Sequence, residues 1–255
     1  MDISIAELEH AAAPGWRGAD EERLGAWLLR AADGFTGRAN SALAAGDPGL
    51  PIPVAAERVQ AWYDDRDLPA MIAVPYPTGR PDASELDGLL AERGWAVRSR
   101  PATVMTAQSA VVATRAAAAS GGVRVRFDDA PDEGWLARYH FRGQALPPMA
   151  IRLLTSAPWQ AFASIRAQGE VIAIGRVAAA AGWAGLTAIE VHPEHRRRGL
   201  GLAVTAALVA SAADHGVGNV YLQVEDGNRG ACALYRGLGF ADHHGYHYRV
   251  APARV

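Results

Sequence analysis

Lysine is absent from this 255-residue chain, so all 25 of its basic residues are arginine. That removes Schiff-base chemistry and the Walker phosphate loop, which needs Gly-Lys-Ser/Thr. A Rossmann loop is missing too, since no Gly-x-Gly-x-x-Gly occurs. A single cysteine, Cys232, rules out an internal disulfide and suits a reducing compartment. Cys232 sits among small residues, and reads as helix filler rather than as a nucleophile. No stretch of eighteen apolar residues and no basic-then-apolar N-terminus is present, so a cytoplasmic protein without a membrane partner is expected. A net charge of -2 gives no broad basic face, so no nucleic-acid partner is expected either. Histidines 243, 244 and 247 lie together without the cysteine or carboxylate pattern that completes a zinc set, and no metal is expected.

What is present is a turn. Glu190-Val191-His192-Pro193-Glu194-His195-Arg196-Arg197-Arg198-Gly199-Leu200-Gly201 joins a strand-like apolar run to a helix-like one. The first amides of such a helix are unpaired and sit at the positive end of its dipole, which is where an anion such as phosphate binds. Glycine at 199 and 201 lets ligand oxygens approach the backbone and permits unusual dihedrals. Arginines 196, 197 and 198 add charge. A solvated basic turn opening an ordinary helix is the other reading of these residues.

Downstream, residues 200–213 read as a helix stopped at Gly216 and Gly218, and residues 219–225 as a buried strand broken at Asp226-Gly227-Asn228. A short helix over 229–238 follows, within Asn228-x-x-Ala231-x-x-Leu234-Tyr235-x-x-Leu238-Gly239-Phe240. Asn228 stands where an N-cap belongs. Tyr235 shares the face of Ala231 and Leu238, so both a packed aromatic and a functional phenol are open.

Arg196-x-x-Gly199-x-Gly201, two residues after Val191-x-Pro193, and the Asn228 to Phe240 pattern together resemble the two hallmark motifs of the GNAT superfamily of N-acetyltransferases. The resemblance implies an α/β fold with a mixed, mostly antiparallel central sheet flanked by helices. It implies acetyl-coenzyme A as cosubstrate and direct transfer of its acetyl group to a primary amine of a small molecule or peptide. The backbone of Ile189 and Val191 would hold the pantetheine arm and the acetyl carbonyl. Arg196, Arg197, Arg198, Gly199, Leu200 and Gly201 would cradle the pyrophosphate. Asn228 would reach the pantetheine or the adenylate side, and Tyr235 would protonate the departing sulfur. A phenol's reference pKa, about 10, lies above that of a thiol, about 8.5. A non-catalytic acyl-coenzyme A binding module is the alternative function.

The general base is harder to place. In several relatives it lies on the central strand, which corresponds here to Gly185 and Thr187, and neither can act as one. Glu190 and His192 are expected on the opposite face because side chains alternate. Glu225, at the end of the next strand, remains as the candidate, acting through water, unless the amine arrives neutral.

The length suits two domains. Residues 110–122 lack large apolar side chains after Val112 and end in Ser-Gly-Gly, as a linker or short connecting helix would. The expected layout is a domain over 1–110, a linker over 111–122 and a catalytic domain over 123–255. Within the last, residues 123–127 alternate as an opening strand, 132–155 carry helical segments interrupted at Pro147-Pro148, and 159–166 with 171–177 read as a hairpin around Gln168-Gly169. Residues 90–95 followed by Met105 echo 235–240 followed by Val250. The first half therefore resembles a degenerate GNAT-like copy without the arginine-glycine loop, in a tandem two-domain arrangement.

Overall fold

The computed structural model describes residues 3–81, 84–98, 100–117, 122–139 and 146–252. The chain divides into two compact units, neither of which is contiguous in sequence. Unit 1 is Met1–Val104, Glu225–Gly227 and Asp242–Val255; unit 2 is Met105–Val224 and Asn228–Ala241.

In unit 1, α1 (Ile5–Ala12) starts at a capping box in which the Ser4 hydroxyl accepts from the Glu7 amide and the Glu7 carboxylate accepts from the Ser4 amide. Then come β1 (Asp20–Leu24), β2 (Trp27–Ala31), β3 (Ala42–Leu43), α2 (Ile52–Asp64), β4 (Met71–Pro77), α3 (Glu85–Glu92) and β5 (Ala96–Val97). β6 (Ala102–Gln108) crosses the boundary into unit 2. The sheet of unit 1 is completed by the end of the chain: β12 (Ala241–Val250) pairs antiparallel with β4 from His244↔Pro77 to Val250↔Met71. Trp27, Tyr63, Ile72 and Leu90 fill its core. The three neighbouring histidines have structural partners. His243 bonds the Ile3 carbonyl, His244 the buried Glu9 carboxylate, and His247 the Asp87 carboxylate that also takes two bonds from Arg249.

Unit 2 continues with α4 (Ser109–Ala117), β7 (Arg126–Asp128), α5 (Glu133–Arg138), α6 (Pro148–Leu154), β8 (Trp159–Ala167), β9 (Glu170–Ala180), β10 (Trp183–Val191), α7 (Leu200–Asp214), β11 (Asn219–Glu225) and α8 (Arg229–Gly237). Its strands run in the order β7-β8-β9-β10-β11-β6. They are antiparallel from β7 to β10, and β10 with β11 is parallel. The β8–β9 hairpin turns at Gln168 and Gly169, which take φ of 50° and 89°, the two positive values a tight hairpin turn needs. α7 buries Leu200, Val204, Leu208, Val209 and Ala212, the stripe expected of a helix lying on a sheet. It can lie close because β9 has no side chain at Gly175, where a Cβ would come within 2.6 Å of Val204 and 2.8 Å of Leu208.

Two expectations shift. Residues 111–117 of the predicted linker are helix α4, with Val112 and Ala116 buried in the core of unit 2, and residues 118–121 lie outside the described residues. The opening strand is observed only at Arg126–Asp128, where pairing to β8 begins at Ser164. The helical segments expected within 132–155 are α5 and α6, the second opening at Pro148 as the Pro147-Pro148 interruption predicts, and 140–145 are outside the described residues.

The internal echo has a geometric basis. In α3 the Trp95 amide bonds Leu90 O at 2.9 Å and the Gly94 amide bonds Ala91 O at 3.0 Å; in α8 the Phe240 amide bonds Tyr235 O and the Gly239 amide bonds Arg236 O, both at 3.0 Å. Gly94 and Gly239 both have positive φ. These are two copies of one helix-ending motif, a left-handed glycine followed by an apolar anchor; the first leads into the short β5 and then β6, the second directly into β12.

Candidate active site

β10 supplies one wall. It pairs with β11 only from Trp183 to Leu186, while its pairing with β9 continues to Val191. The register with β9 slips between Thr187 and Glu190, and Ala188 within the slip has φ of 54°. An extra residue in one strand bends it and increases its twist. The bend takes β10 away from β11 and opens an edge of backbone. His192 donates to Ile172 O at 2.8 Å, which fixes the hydrogen-bonded pairs of the ladder at His192 and Glu190. Ile189 and Val191 therefore turn their backbone groups toward the edge that β11 has left. The Val191 carbonyl accepts from Arg196 Nε at 3.2 Å.

The bulge also changes which side chains share a face. Thr187 stands opposite Arg176 and Glu190 opposite Ile174, and residues two apart on β9 point the same way. Thr187 and Glu190 thus lie on one face despite being three residues apart. The alternation used to set Glu190 aside fails here because the bulge inserts a residue between them. Nothing in the local sequence Thr187-Ala188-Ile189-Glu190 announces that slip.

The turn after β10 supplies the second wall. A short 3₁₀ segment, Pro193–His195, leads to Arg197 and Gly199, with φ of 63° and 77°. Gly199 is the N-cap of α7 and offers its amides no side-chain acceptor. A Cβ on Gly199 would meet nothing within 4 Å, and one on Gly201 would meet only Leu234 at 3.5 Å and Val191 at 3.8 Å. Gly199 is thus required by backbone conformation, whereas nothing in the protein itself requires glycine at 201.

α8 supplies the third wall. Asn228 caps it, its Oδ1 accepting from the Ala231 amide at 3.2 Å, so the cap reading of Asn228 is realised. Tyr235 is 8% exposed and stacks edge-on against Phe240. Burial, with a smaller contribution from Cys232, pushes its phenol up to about 12. Among the described residues its hydroxyl has no hydrogen-bond partner.

Together these walls enclose a groove of about 1010 Å³. Ile189, Glu190, Val191, Arg196, Arg197, Gly199, Leu200, Gly201, Asn228 and Tyr235 all line it. Arg198 is exposed and is not among the lining residues, and Glu225 is not either. Glu225 closes β11 and belongs to unit 1. Two charged lining residues escaped the sequence. Glu190 was hidden by the bulge, and Arg115 by its place in an alanine-rich stretch that reads as a linker.

A helix N-terminus without a side-chain cap, beside a strand parted from its neighbour by a bulge, is the arrangement expected of the acetyltransferase superfamily. Comparison with known proteins agrees: the chain is a GNAT-type acyltransferase, and its mixed α/β fold is that of the superfamily. It belongs to the family described as "Probable histone acetyltransferase Rv0428c C-terminal", whose model matches residues 3–249 and so spans both units. A Mycobacterium tuberculosis protein named "Probable histone acetyltransferase Rv0428c" is 31% identical over 264 residues, covering 98% of this chain and 74% of that protein. A Bacillus subtilis protein named "Uncharacterized N-acetyltransferase YobR" is 26% identical over 251 residues, covering 96% and 98%. Among solved structures, a GCN5-related N-acetyltransferase from Kribbella flavida superposes with a TM-score of 0.72 at 20% identity, covering 99% of this chain and 98% of that one. A tandem GNAT protein from the clavulanic acid biosynthesis pathway gives 0.62 at 15% identity, covering 80% and 70%.

Proposed function

We propose that this protein moves an acetyl group from acetyl-coenzyme A directly to a primary amine. The observation that carries the reading is the single groove into which both the uncapped α7 amides and the freed backbone of Ile189 and Val191 open. The pyrophosphate would lie on the α7 N-terminus beside Arg196 and Arg197, where amides and guanidinium groups supply charge-assisted hydrogen bonds. Ile189 and Val191 would hold the pantetheine and the acyl carbonyl, polarising it as charge develops on oxygen. The amine nitrogen attacks the carbonyl carbon, the carbon–sulfur bond breaks, and the sulfur leaves as thiolate.

Tyr235 is the proposed acid. Burial keeps its phenol protonated at neutral pH, and the same dry surroundings raise the proton affinity of a thiolate released beside it. Glu190 is the proposed base in preference to Glu225, because it lines the groove and shares the face of Thr187. A carboxylate there would take the proton the amine must lose.

The acceptor is not set by the fold. The mycobacterial relative's name makes a basic protein one acceptor to include in a panel of amines. Because this chain has no lysine, acetyl-lysine in such an assay cannot come from the enzyme acetylating its own side chains. The test is calorimetric titration with acetyl-coenzyme A followed by thiol release across the panel. One site per chain with turnover on some amine is expected. Binding with no turnover on any amine would favour the non-catalytic module, and no binding would sink the reading altogether.

A further inference from the structure

The arginine-glycine turn accounts for one cluster of positive charge in the groove, but Arg115 is a second, contributed by α4. Its placement is built. Arg115 Nη1 lies 3.5 Å from Arg236 O and 3.4 Å from Gly237 O, the carbonyls that end α8. The chain beneath is bare because Gly239 carries no side chain; a Cβ there would come within 2.7 Å of Val111 and 3.2 Å of Arg115 Nε. Gly239 thus does more than end a helix. It lets α4 bring a guanidinium over the C-terminus of α8, where the helix dipole favours a cation. Arg115 Nε and Nη2 have no hydrogen bond to a described residue, and an arginine's planar fork carries enough donors to hold the helix end and a ligand at once.

The spacing gives this cation a different task from that of Arg196 and Arg197. The α7 N-terminus is located on α8 by the approach of Gly201 to Leu234. Arg115 sits at Gly237, three residues or about 4.5 Å further along α8. Coenzyme A carries one anionic group besides its pyrophosphate, the 3′-phosphate of the ribose, and the sugar holds the two apart. We infer that Arg115 is a specificity-determining residue that recognises the ribose 3′-phosphate, so that the groove discriminates coenzyme A from 3′-dephospho-coenzyme A. The inference presupposes that the groove holds coenzyme A.

Calorimetric titration of the full chain with coenzyme A and with 3′-dephospho-coenzyme A tests it, in the native protein and in the Arg115→Gln and Arg115→Lys variants. Arg115 is exposed, so screening limits the native preference for coenzyme A to about fivefold, shrinking as salt is raised. Arg115→Gln should reduce the ratio to about twofold or less while leaving the affinity for the dephospho ligand unchanged, and Arg115→Lys should restore part of it. Equal affinity for the two ligands in the native protein overturns the inference. An unchanged ratio in Arg115→Gln does the same, as does an equal loss for both ligands, which would reduce Arg115 to a helix cap. Failure of both ligands to bind overturns the coenzyme A reading itself.

Discussion

Gly201→Ala separates ligand recognition from stability, because the two should move in opposite directions. The added Cβ meets Leu234 at 3.5 Å and Val191 at 3.8 Å, ordinary contact distances, and Gly201 has no positive φ for alanine to strain. Alanine is better than glycine in a helix by up to about 1 kcal/mol, mostly through the unfolded chain, and less in a first turn. For a chain of this length that is a rise of about 1–3 °C in the melting midpoint. Acetyl-coenzyme A should bind more weakly. A methyl group over the α7 amides pushes a phosphate oxygen out of hydrogen-bond range, and a charge-assisted hydrogen bond is worth about 1.5–3 kcal/mol. The dissociation constant should therefore rise by about 10- to 100-fold. Thermal unfolding of the free protein and calorimetric titration of the same preparation read both numbers. An unchanged melting midpoint or a small rise, with unaltered affinity, would remove the α7 N-terminus from the ligand site. A lowered midpoint would show that the packing around Gly201 has been misjudged.

Gly175→Ala should fail where Gly201→Ala succeeds. Its Cβ would lie 2.6 Å from Val204 and 2.8 Å from Leu208, so α7 must move off β9 at a cost of about 1–3 kcal/mol, measurable by urea unfolding. Tyr235 should titrate near 12, seen as phenolate absorbance present in the native protein and missing from Tyr235→Phe. Its pKa is raised on folding, so the native state holds the proton more tightly; the stability this contributes is full below pH 10 and is lost as pH climbs through 10 to 12. A Tyr235 that ionises near 10 would contradict its burial. A fragment of residues 123–255 should not fold as an independent domain, because Met105, Ala107, Val112 and Ala116 are in the core of unit 2; a cooperative melt and a dispersed spectrum from that fragment would refute this. In the whole chain Met105→Ala should cost about 2–5 kcal/mol.

Much of unit 2 was legible because its local signals agree with its tertiary environment. Residues 219–225 read as a strand and are one, and the helix starting at Leu200 ends one residue beyond the expected 213. Positive φ at Gln168, Gly169, Gly216 and Gly239 falls where turn and helix-end signals placed breaks. The domain boundary was less legible for a physical reason. The segment 110–117 has few large side chains, so its composition resembles a connector, but Val112 and Ala116 need only be small and apolar to fill the space beside α7. A small buried face carries little signal in one sequence.

The exchange of strands was hidden for a different reason, which also bears on how the two halves came to depend on one another. Sequence places β6 at the end of the first half and β12 at the end of the second, each following the same helix-ending glycine motif. In space Met105–Gln108 of β6 belongs to unit 2, and β12 pairs with β4 of unit 1. Side-chain periodicity specifies that a segment is a strand and which face is buried, but neither β6 nor β12 carries a local label for its partner. An echo between the halves therefore establishes similarity of parts without establishing which part completes which sheet. It follows that the groove, although every residue lining it lies in unit 2, cannot be separated from the first half by cutting at residue 122. The first half supplies Met105 and Ala107 to the core that supports α7 and β10, and α4 then supplies Arg115 to the groove. A half without an arginine-glycine loop of its own thus contributes through its last strand, which is part of the other half's core.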